Sequence, residues 1–507
     1  MIRKSTIKIV LLTATCLALG RLVAHGQSGE VTIHIDAAKT YQTISNFAAS
    51  DAWACQFVGN WPDAKREKIA DLLFSRKTNP DGSPMGIGLS QWRFNIGAGS
   101  TQQGNASGIG DEWRRAESFL DNDGTYNWQN QAGQVWFLKA AKQRGVKQFL
   151  GFSNSPPVQF TANGKSFATK GKVNIVPDKY DAFAAYLANT VKGLKKVAGV
   201  KLDYISPVNE PQWDWSDGGQ EGCPYNNAEI AGLVRAIDKN FQSNKVSSKI
   251  LIGEAGSINY LFTKGDKHGK GNQVNDFFKP GMPSYIGDLP TLSRTIATHS
   301  YFTTSPMAAS VKARKALADT VAAIKGLELW QSEYCILGDN AGEIDGNHRD
   351  LGIDAALYLA SVIHTDLTVA NASAWQWWTA ISPYDYKDGL IYIDKNKTDG
   401  NFYTSKMLWA MGNYSRFIAP GAVRIAAMPS SGPLLVSAYK KGNELTLVIV
   451  NPAKEPVTTG FDAASAKLSL KLSYLTAQDS ELKYGKVTGN NATIPARSIV
   501  TFTGTIN

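Results

Sequence analysis

At 507 residues the chain can hold one large domain of roughly 250–400 residues and a smaller partner. Charged residues make up 19% and aromatics 10%, with 13 Trp, a balance that excludes a disordered chain and supplies many flat apolar faces. The net charge of +10 is spread over helix-period segments such as 63–75 and 311–325 and gathers into no runs, so solvated helix faces account for it and no nucleic-acid partner is expected.

Residues 1–26 read as a signal peptide, with Arg3, Lys4 and Lys8 at a basic start, an apolar stretch over 9–19, and Ala24-His25-Gly26 as a small-x-small cleavage site before Gln27. Export to the periplasm or the exterior is the expectation. Cys16 raises the alternative of a lipid anchor, but Thr13-Ala14-Thr15 lacks the Leu with which such a site begins. No later stretch reaches the ~18 apolar residues of a membrane span, so none is expected. Residues 27–42 carry one strand, because Val31-Thr32-Ile33-His34-Ile35 alternates apolar and polar side chains.

From 43 to 418, apolar runs alternate with helix-period segments, the rhythm of a parallel sheet with helical crossovers. Eight strands are predicted, at 43–50, 89–96, 148–153, 202–208, 250–254, 295–301, 327–332 and 372–378. Between them, segments such as 180–198, 227–241, 307–325 and 353–368 repeat apolar residues at three- and four-residue intervals. Eight such units close a (β/α)8 TIM barrel, whose sites lie on the loops after the strands. Beyond 419 the pattern changes to short alternating segments, 434–439, 444–450, 468–475 and 499–503, separated by Gly, Pro, Asn and Asp turns. That predicts an all-β sandwich over 419–507, joined by the N-terminal strand.

After loss of a leader, Cys55, Cys223 and Cys335 remain, an odd number that argues against a disulfide framework. Cys55 and Cys223 each follow a strand end and are the candidates for a pair. No Cys-x-x-Cys or His-x-x-x-His spacing marks a metal site, and no cofactor is expected.

Two segments carry chemistry: Pro207-Val208-Asn209-Glu210-Pro211-Gln212-Trp213 and Trp330-Gln331-Ser332-Glu333-Tyr334. Each ends a short apolar run with a Glu, which a buried parallel strand delivers to the barrel mouth. Cleaving a glycosidic bond with retention needs two carboxyl groups about 5–5.5 Å apart, one protonated and one ionised. Glu210 ends the fourth predicted strand and Glu333 the seventh, so both face one mouth. Glu221 and Glu254 are further carboxylates at loop or strand ends, and Glu254 is the first substitute should either of the pair be misassigned.

These segments resemble glycoside hydrolase family 30. Asn46-Phe47-Ala48-Ala49-Ser50-Asp51, Trp92-Arg93-Phe94-Asn95-Ile96-Gly97, Ser153-Asn154-Ser155-Pro156-Pro157, His299-Ser300-Tyr301 and Trp375-Gln376-Trp377-Trp378 are similar to that family in kind and order. The likeness spans roughly residues 30–507. It implies a retaining glycosidase with Glu210 as general acid/base and Glu333 as nucleophile, Arg93 and Tyr301 donating to Glu333, and Asn209 facing the sugar's 2-hydroxyl. It also implies His299 on the floor, Trp378 stacked under the sugar, and Asp51, Trp53 and Asn154 near the first subsite; Trp375 and Trp377 read equally as packing. Two departures put the first-subsite contacts in doubt: Val158-Gln159-Phe160 stands where the family often has a Trp, and Ala48-Ala49 where Gly-Gly is usual. Pro207 to Trp215 followed by Gln220-Glu221-Gly222 looks most like the endo-β-1,6-galactanase branch, with Trp213 and Trp215 as an aromatic wall beside Glu210. The expectation is therefore a secreted enzyme, a monomer, acting on a polysaccharide. The alternatives are a β-1,6-glucanase, xylanase or β-glucosidase of the same mechanism, or a non-catalytic carbohydrate-binding protein.

Overall fold

The computed structural model describes residues 31–464 and 466–507, so the leader and Cys16 lie outside the described residues. Strand β1 (Val31–Thr43) leads into eight parallel strands closed on themselves. In chain order these are β2 (Asn46–Ser50), β3 (Gln91–Asn95), β4 (Gln148–Phe152), β5 (Tyr204–Ser206), β6 (Lys249–Ala255), β7 (Leu292–His299), β8 (Glu328–Glu333) and β9 (Ala374–Trp377). Pairing of β2 with β9, from Asn46 opposite Ala374 to Ala49 opposite Trp377, closes the barrel. Both faces of these strands are covered, which is why they read as apolar runs and not as alternation: every residue of β2 and β3 is buried.

Helices Asp63–Phe74, Ala132–Gln143, Tyr180–Ala198, Asn227–Ser243, Met307–Ala322, Ile353–Thr368 and Lys406–Ser415 form the outer layer. After β6 the layer is reduced to two short helices, Asn259–Phe262 and Gln273–Phe278, too short to leave a periodic trace. A small three-stranded sheet, Ile381–Ser382, Ile391–Ile393 and Phe402–Thr404, lies between β9 and the last of these helices.

Eight C-terminal strands, from Val423–Pro429 to Ser498–Ile506, join β1 in one nine-stranded sheet. β1 runs antiparallel to Val423–Pro429 and parallel to Val457–Asp462. The sheet curls over its own core: the rings of Phe461 and Phe502 lie 5.4 Å apart although four strands separate theirs in sheet order. Ile33, Leu447 and Ile494 fill the space between. The opposite face packs on the barrel, where Asn413 of the last helix donates to Thr501 Oγ1 at 2.9 Å and Thr501 returns a bond to the Asn413 carbonyl at 2.7 Å. The predicted sandwich is thus one folded sheet.

One expectation needs correction, and one open question is answered. The strand placed at 43–50 begins at Asn46, because Thr43 still belongs to the 13-residue β1, whose register slips near Thr40. Cys55 and Cys223 are not paired; each is buried and free, as is Cys335. Among the described residues no helix is long and apolar enough to cross a membrane.

Candidate active site

Four barrel strands and one following loop deliver five charged side chains to one spot. Arg93 comes from β3, Glu254 from β6, His299 from the end of β7, Glu333 from the end of β8, and Glu210 from the loop after β5. Glu210 has φ +43, a left-handed conformation uncommon outside glycine, and its backbone holds it there. Its N–H donates to the Glu254 carbonyl at 2.8 Å, and its own carbonyl accepts from Trp215 Nε1 at 2.9 Å. Further on, a capping box starts helix Asn227–Ser243: Asn226 accepts from the Glu229 N–H at 2.9 Å and Glu229 accepts from the Asn226 N–H at 2.7 Å, anchoring the far end of the loop that carries Trp213 and Trp215.

Glu254 owes its aim to an irregularity in β6. The register against β7 shifts between Gly253 and Ala255, Gly253 has φ +100, and Glu254 has φ +44. A side chain on Gly253 would meet the Ala297 carbonyl oxygen at 2.3 Å. The bulge re-aims the next side chain into the barrel.

Arg93 Nη1 donates to Glu333 Oε2 at 2.5 Å, and Nη2 to Asn209 Oδ1 at 3.1 Å and Glu254 Oε2 at 3.5 Å. Its guanidinium rests 3.7 Å from the Phe152 ring centroid. Tyr301 donates its hydroxyl to Glu333 Oε1 at 3.1 Å. His299 lies between carboxylates, Nδ1 3.0 Å from Glu210 Oε1 and Nε2 3.0 Å from Glu254 Oε2. One ligand-type atom each of Glu210, His299 and Glu333 falls within 4.8 Å of the others, so the two acids meet across one cavity.

These contacts divide the protons. Burial pushes the Glu210 carboxyl up and the Glu333 charge adds to it, against the opposing pull of His299 and Arg93. Burial acts the same way on Glu254, but Arg93, His299 and the Ser332 hydroxyl overcome it and hold the carboxyl down to about 2. For His299, burial disfavours the cation, yet Glu333, Glu210 and Glu254 raise it to about 10. Arg93 and His299 are thus set against Glu254 and Glu333 in ion pairs, and Glu210 is the acid that burial and the neighbouring Glu333 push towards its protonated form.

Above this floor opens a cavity of about 340 Å³. Glu210, Glu333 and Asn209 form its base, and Trp213, Trp215, Gln220, Phe302, Leu337 and Trp378 its sides. Trp213 meets Phe302 edge to face at 6.0 Å. Phe302 is 72% exposed and sits at φ +61, where a bulky side chain is an outlier.

Of the residues expected from sequence, Glu210, Glu333, Asn209, Trp213, Trp215, Tyr301 and Trp378 line the cavity, with Arg93 and His299 directly beneath. Trp53 is buried behind Trp378, their rings T-shaped at 5.0 Å, and so backs the wall. Asp51 and Asn154 do not line the cavity. Asp51 is fully buried and accepts from the Asn95 N–H at 2.7 Å, and Asn154 is buried against Asn95, its Nδ2 3.5 Å from Asn95 Oδ1. Trp375 and Trp377 stack on each other in the core. Glu221 is a loop brace, accepting from the Ala98 N–H at 3.0 Å and the Ser100 hydroxyl at 2.5 Å. Glu254, held in reserve as a substitute acid, is sealed from the cavity. Phe302 and Leu337 were not foreseen; the only signal for Phe302 was an aromatic directly after His299-Ser300-Tyr301.

Paired acids at the strand ends of a closed parallel barrel, beneath an open cavity of sugar size, define a glycoside hydrolase. The chain belongs to O-glycosyl hydrolase family 30, whose family model matches residues 30–392. It is 21% identical over 457 residues to an endo-β-1,6-galactanase of Hypocrea rufa, spanning 86% of this chain and 84% of that protein. It is 26% identical over 394 residues to a glucuronoxylanase of Bacillus subtilis, covering 74% and 77% respectively. Among solved structures, a conserved exported protein from Bacteroides fragilis superposes with a TM-score of 0.87 at 35% identity, covering 93% of this chain and all of that one.

Proposed function

We propose that the protein is an exported, retaining endo-β-1,6-galactanase. The observation that carries the mechanism is the approach of Glu210 and Glu333 to within 4.8 Å, the short spacing that retention requires and too close for a water to attack from between them. Glu333, fixed by Arg93 and Tyr301, attacks the anomeric carbon. Glu210, whose protonated form is favoured by burial beside a second acid, donates to the departing oxygen and then, ionised, takes a proton from the water that hydrolyses the glycosyl-enzyme.

For the substrate, support comes from the loop Trp213-Asp214-Trp215, which sets two aromatic faces beside the acid, and from the galactanase, which matches more of the chain than the xylanase does. Polar side chains beside such a wall, Asn209 and Gln220 among the lining, can distinguish an axial from an equatorial 4-hydroxyl by hydrogen bonding it. Export rests on the leader pattern of residues 1–26 and on the exported relative. Purified protein offered β-1,6-galactan, β-1,6-glucan and glucuronoxylan should release oligosaccharides from the first, with the β-anomer formed first by proton NMR. An α-anomer formed first overturns retention; turnover of another polymer with none of galactan overturns the substrate.

A further inference from the structure

We propose that Glu254, sealed beneath the cavity, is a positioning residue that fixes His299 as a two-donor cation and thereby decides which oxygen of Glu210 carries the transferable proton. The proposal rests on the reading of Glu210 as general acid/base.

The geometry is one-sided. Glu254 is fully buried, and three donors converge on its Oε2: the Ser332 hydroxyl at 2.7 Å, His299 Nε2 at 3.0 Å and Arg93 Nη2 at 3.5 Å. Its Oε1 has no partner, so nothing holds this carboxylate except the cations and hydroxyl it serves. It touches no substrate, and the bulge at Gly253 exists to turn it inward.

Across the ring, His299 Nδ1 lies 3.0 Å from Glu210 Oε1 and 3.5 Å from Glu333 Oε1. A neutral imidazole has one N–H and would present a lone pair to one of these carboxylates. Once Glu210 is ionised, only the imidazolium satisfies both sides, and the Glu333 carboxylate 3.5 Å from Nδ1 favours the same donor. The groups facing it are Arg93 from β3, Glu210 after β5, Glu254 from β6, Tyr301 just past β7 with ring centroids 5.9 Å apart, and Glu333 from β8; Cys335 reaches it only through Tyr301, at 3.7 Å from that hydroxyl. Of the acids, Glu210 must change charge in each half-reaction and Glu333 loses its charge when the sugar is attached. Glu254 alone keeps a constant negative charge against the ring through the whole cycle.

The consequence lies in Glu210. With Nδ1–H donating into Oε1, the acid's proton occupies Oε2, free of the floor. Without the Glu254 charge the ring sheds its proton in the neutral range, and its Nδ1 lone pair then accepts the Glu210 proton and draws it away from the sugar.

The test uses the full chain with histidine labelled by nitrogen-15, the six His being resolved by a His299→Asn control. In the wild type both ring nitrogens of His299 stay protonated from about pH 5 to 8. In Glu254→Gln the ring titrates inside that window, and kcat falls about tenfold or more while KM moves less than about twofold. Should Glu254→Gln not fold, Glu254→Asp keeps the charge but withdraws it by one methylene, and the same ring titration should move to lower pH than in the wild type. A folded variant whose His299 stays doubly protonated across the window, or whose kcat equals that of the wild type, overturns the proposal. The nitrogen shifts need no turnover, so a wild type inactive on every polymer would count against the glycosidase reading alone.

Discussion

The floor of the pocket is built around strand ends and is buried, whereas its rim is built from loops and is open. Arg93, Glu254 and His299 are 0% exposed, while Phe302 is 72% and Leu337 39% exposed. Away from water, charge–charge interactions are strong and unpaired groups costly, so each floor residue needs a partner of defined charge and position. The rim is free of that constraint, since an aromatic face binds whatever flat apolar surface a sugar offers it. On the proposed reading, the floor carries the reaction and the rim holds the sugar.

The hardest test of that division is Glu333→Gln. It should lower kcat on any substrate by on the order of 10⁴-fold or more, with a folded protein by circular dichroism. Residual activity of even a tenth would mean that the chemistry is not on the floor. Glu210→Gln should cost about 10²–10⁴-fold on polysaccharide. The loss should be smaller on an aryl glycoside, whose leaving group needs no proton, and added azide should restore turnover as a β-azide product. Equal losses on both substrates would remove Glu210 from the acid role.

The same division governs what the amino-acid sequence reveals. Glu210 and Glu333 end apolar runs on strands, so period and composition locate them before any coordinates exist, while Arg93 and His299 entered through the family resemblance. Glu254 was visible as a strand-end acid, but its burial was not. The signal was Gly253, a glycine inside a strand pattern, which marks a bulge and hence a redirected side chain. Rim residues have no period. Leu337 is an ordinary loop leucine until the fold brings it to the cavity. Asp51 and Asn154 were placed with the substrate by the family resemblance, yet the Asn95 backbone and side chain hold them buried, away from the cavity lining. In the C-terminal sheet, Leu435–Lys441 and Glu444–Asn451 were legible from alternation, while Val457–Asp462 was not, its Thr and Gly giving neither an apolar face nor a run.

Changes at the rim should be milder and selective. Trp213→Ala and Phe302→Ala each remove one ring of the edge-to-face pair, worth about 1–2 kcal/mol with a bound sugar, or a 5–30-fold rise in KM. kcat should stay within about threefold, since neither ring touches the floor charges. If the rim selects the sugar, the ratio of kcat/KM on β-1,6-galactan to that on β-1,6-glucan should fall in Trp213→Ala. An unchanged ratio with both values reduced equally would make the rim a general platform and move the choice of sugar down to the floor.

The smallest effect concerns a carboxyl below the floor and sharpens why the floor is charged at all. Asp51 and Glu254 are both fully buried, yet burial pushes Asp51 up to about 8 while Glu254 is held down to about 2. The difference is in partners. Glu254 has Arg93 and His299 against one oxygen, whereas Asp51 has the Asn95 N–H on Oδ1 and nothing on Oδ2. Since Asp51's ordinary value is 3.8, the folded state binds more protons than the unfolded between there and about 8. The stability that its protonated form contributes is therefore complete below about pH 4 and is lost as pH rises towards 8. Asp51→Asn keeps the acceptor for Asn95 and abolishes the titration. Its melting temperature should fall less steeply than the wild type's between pH 5 and 8, ending on the order of 2 °C higher at the alkaline end. Parallel curves would mean that Asp51 is ionised in the native protein, and that a buried carboxylate here needs no cation to keep its charge.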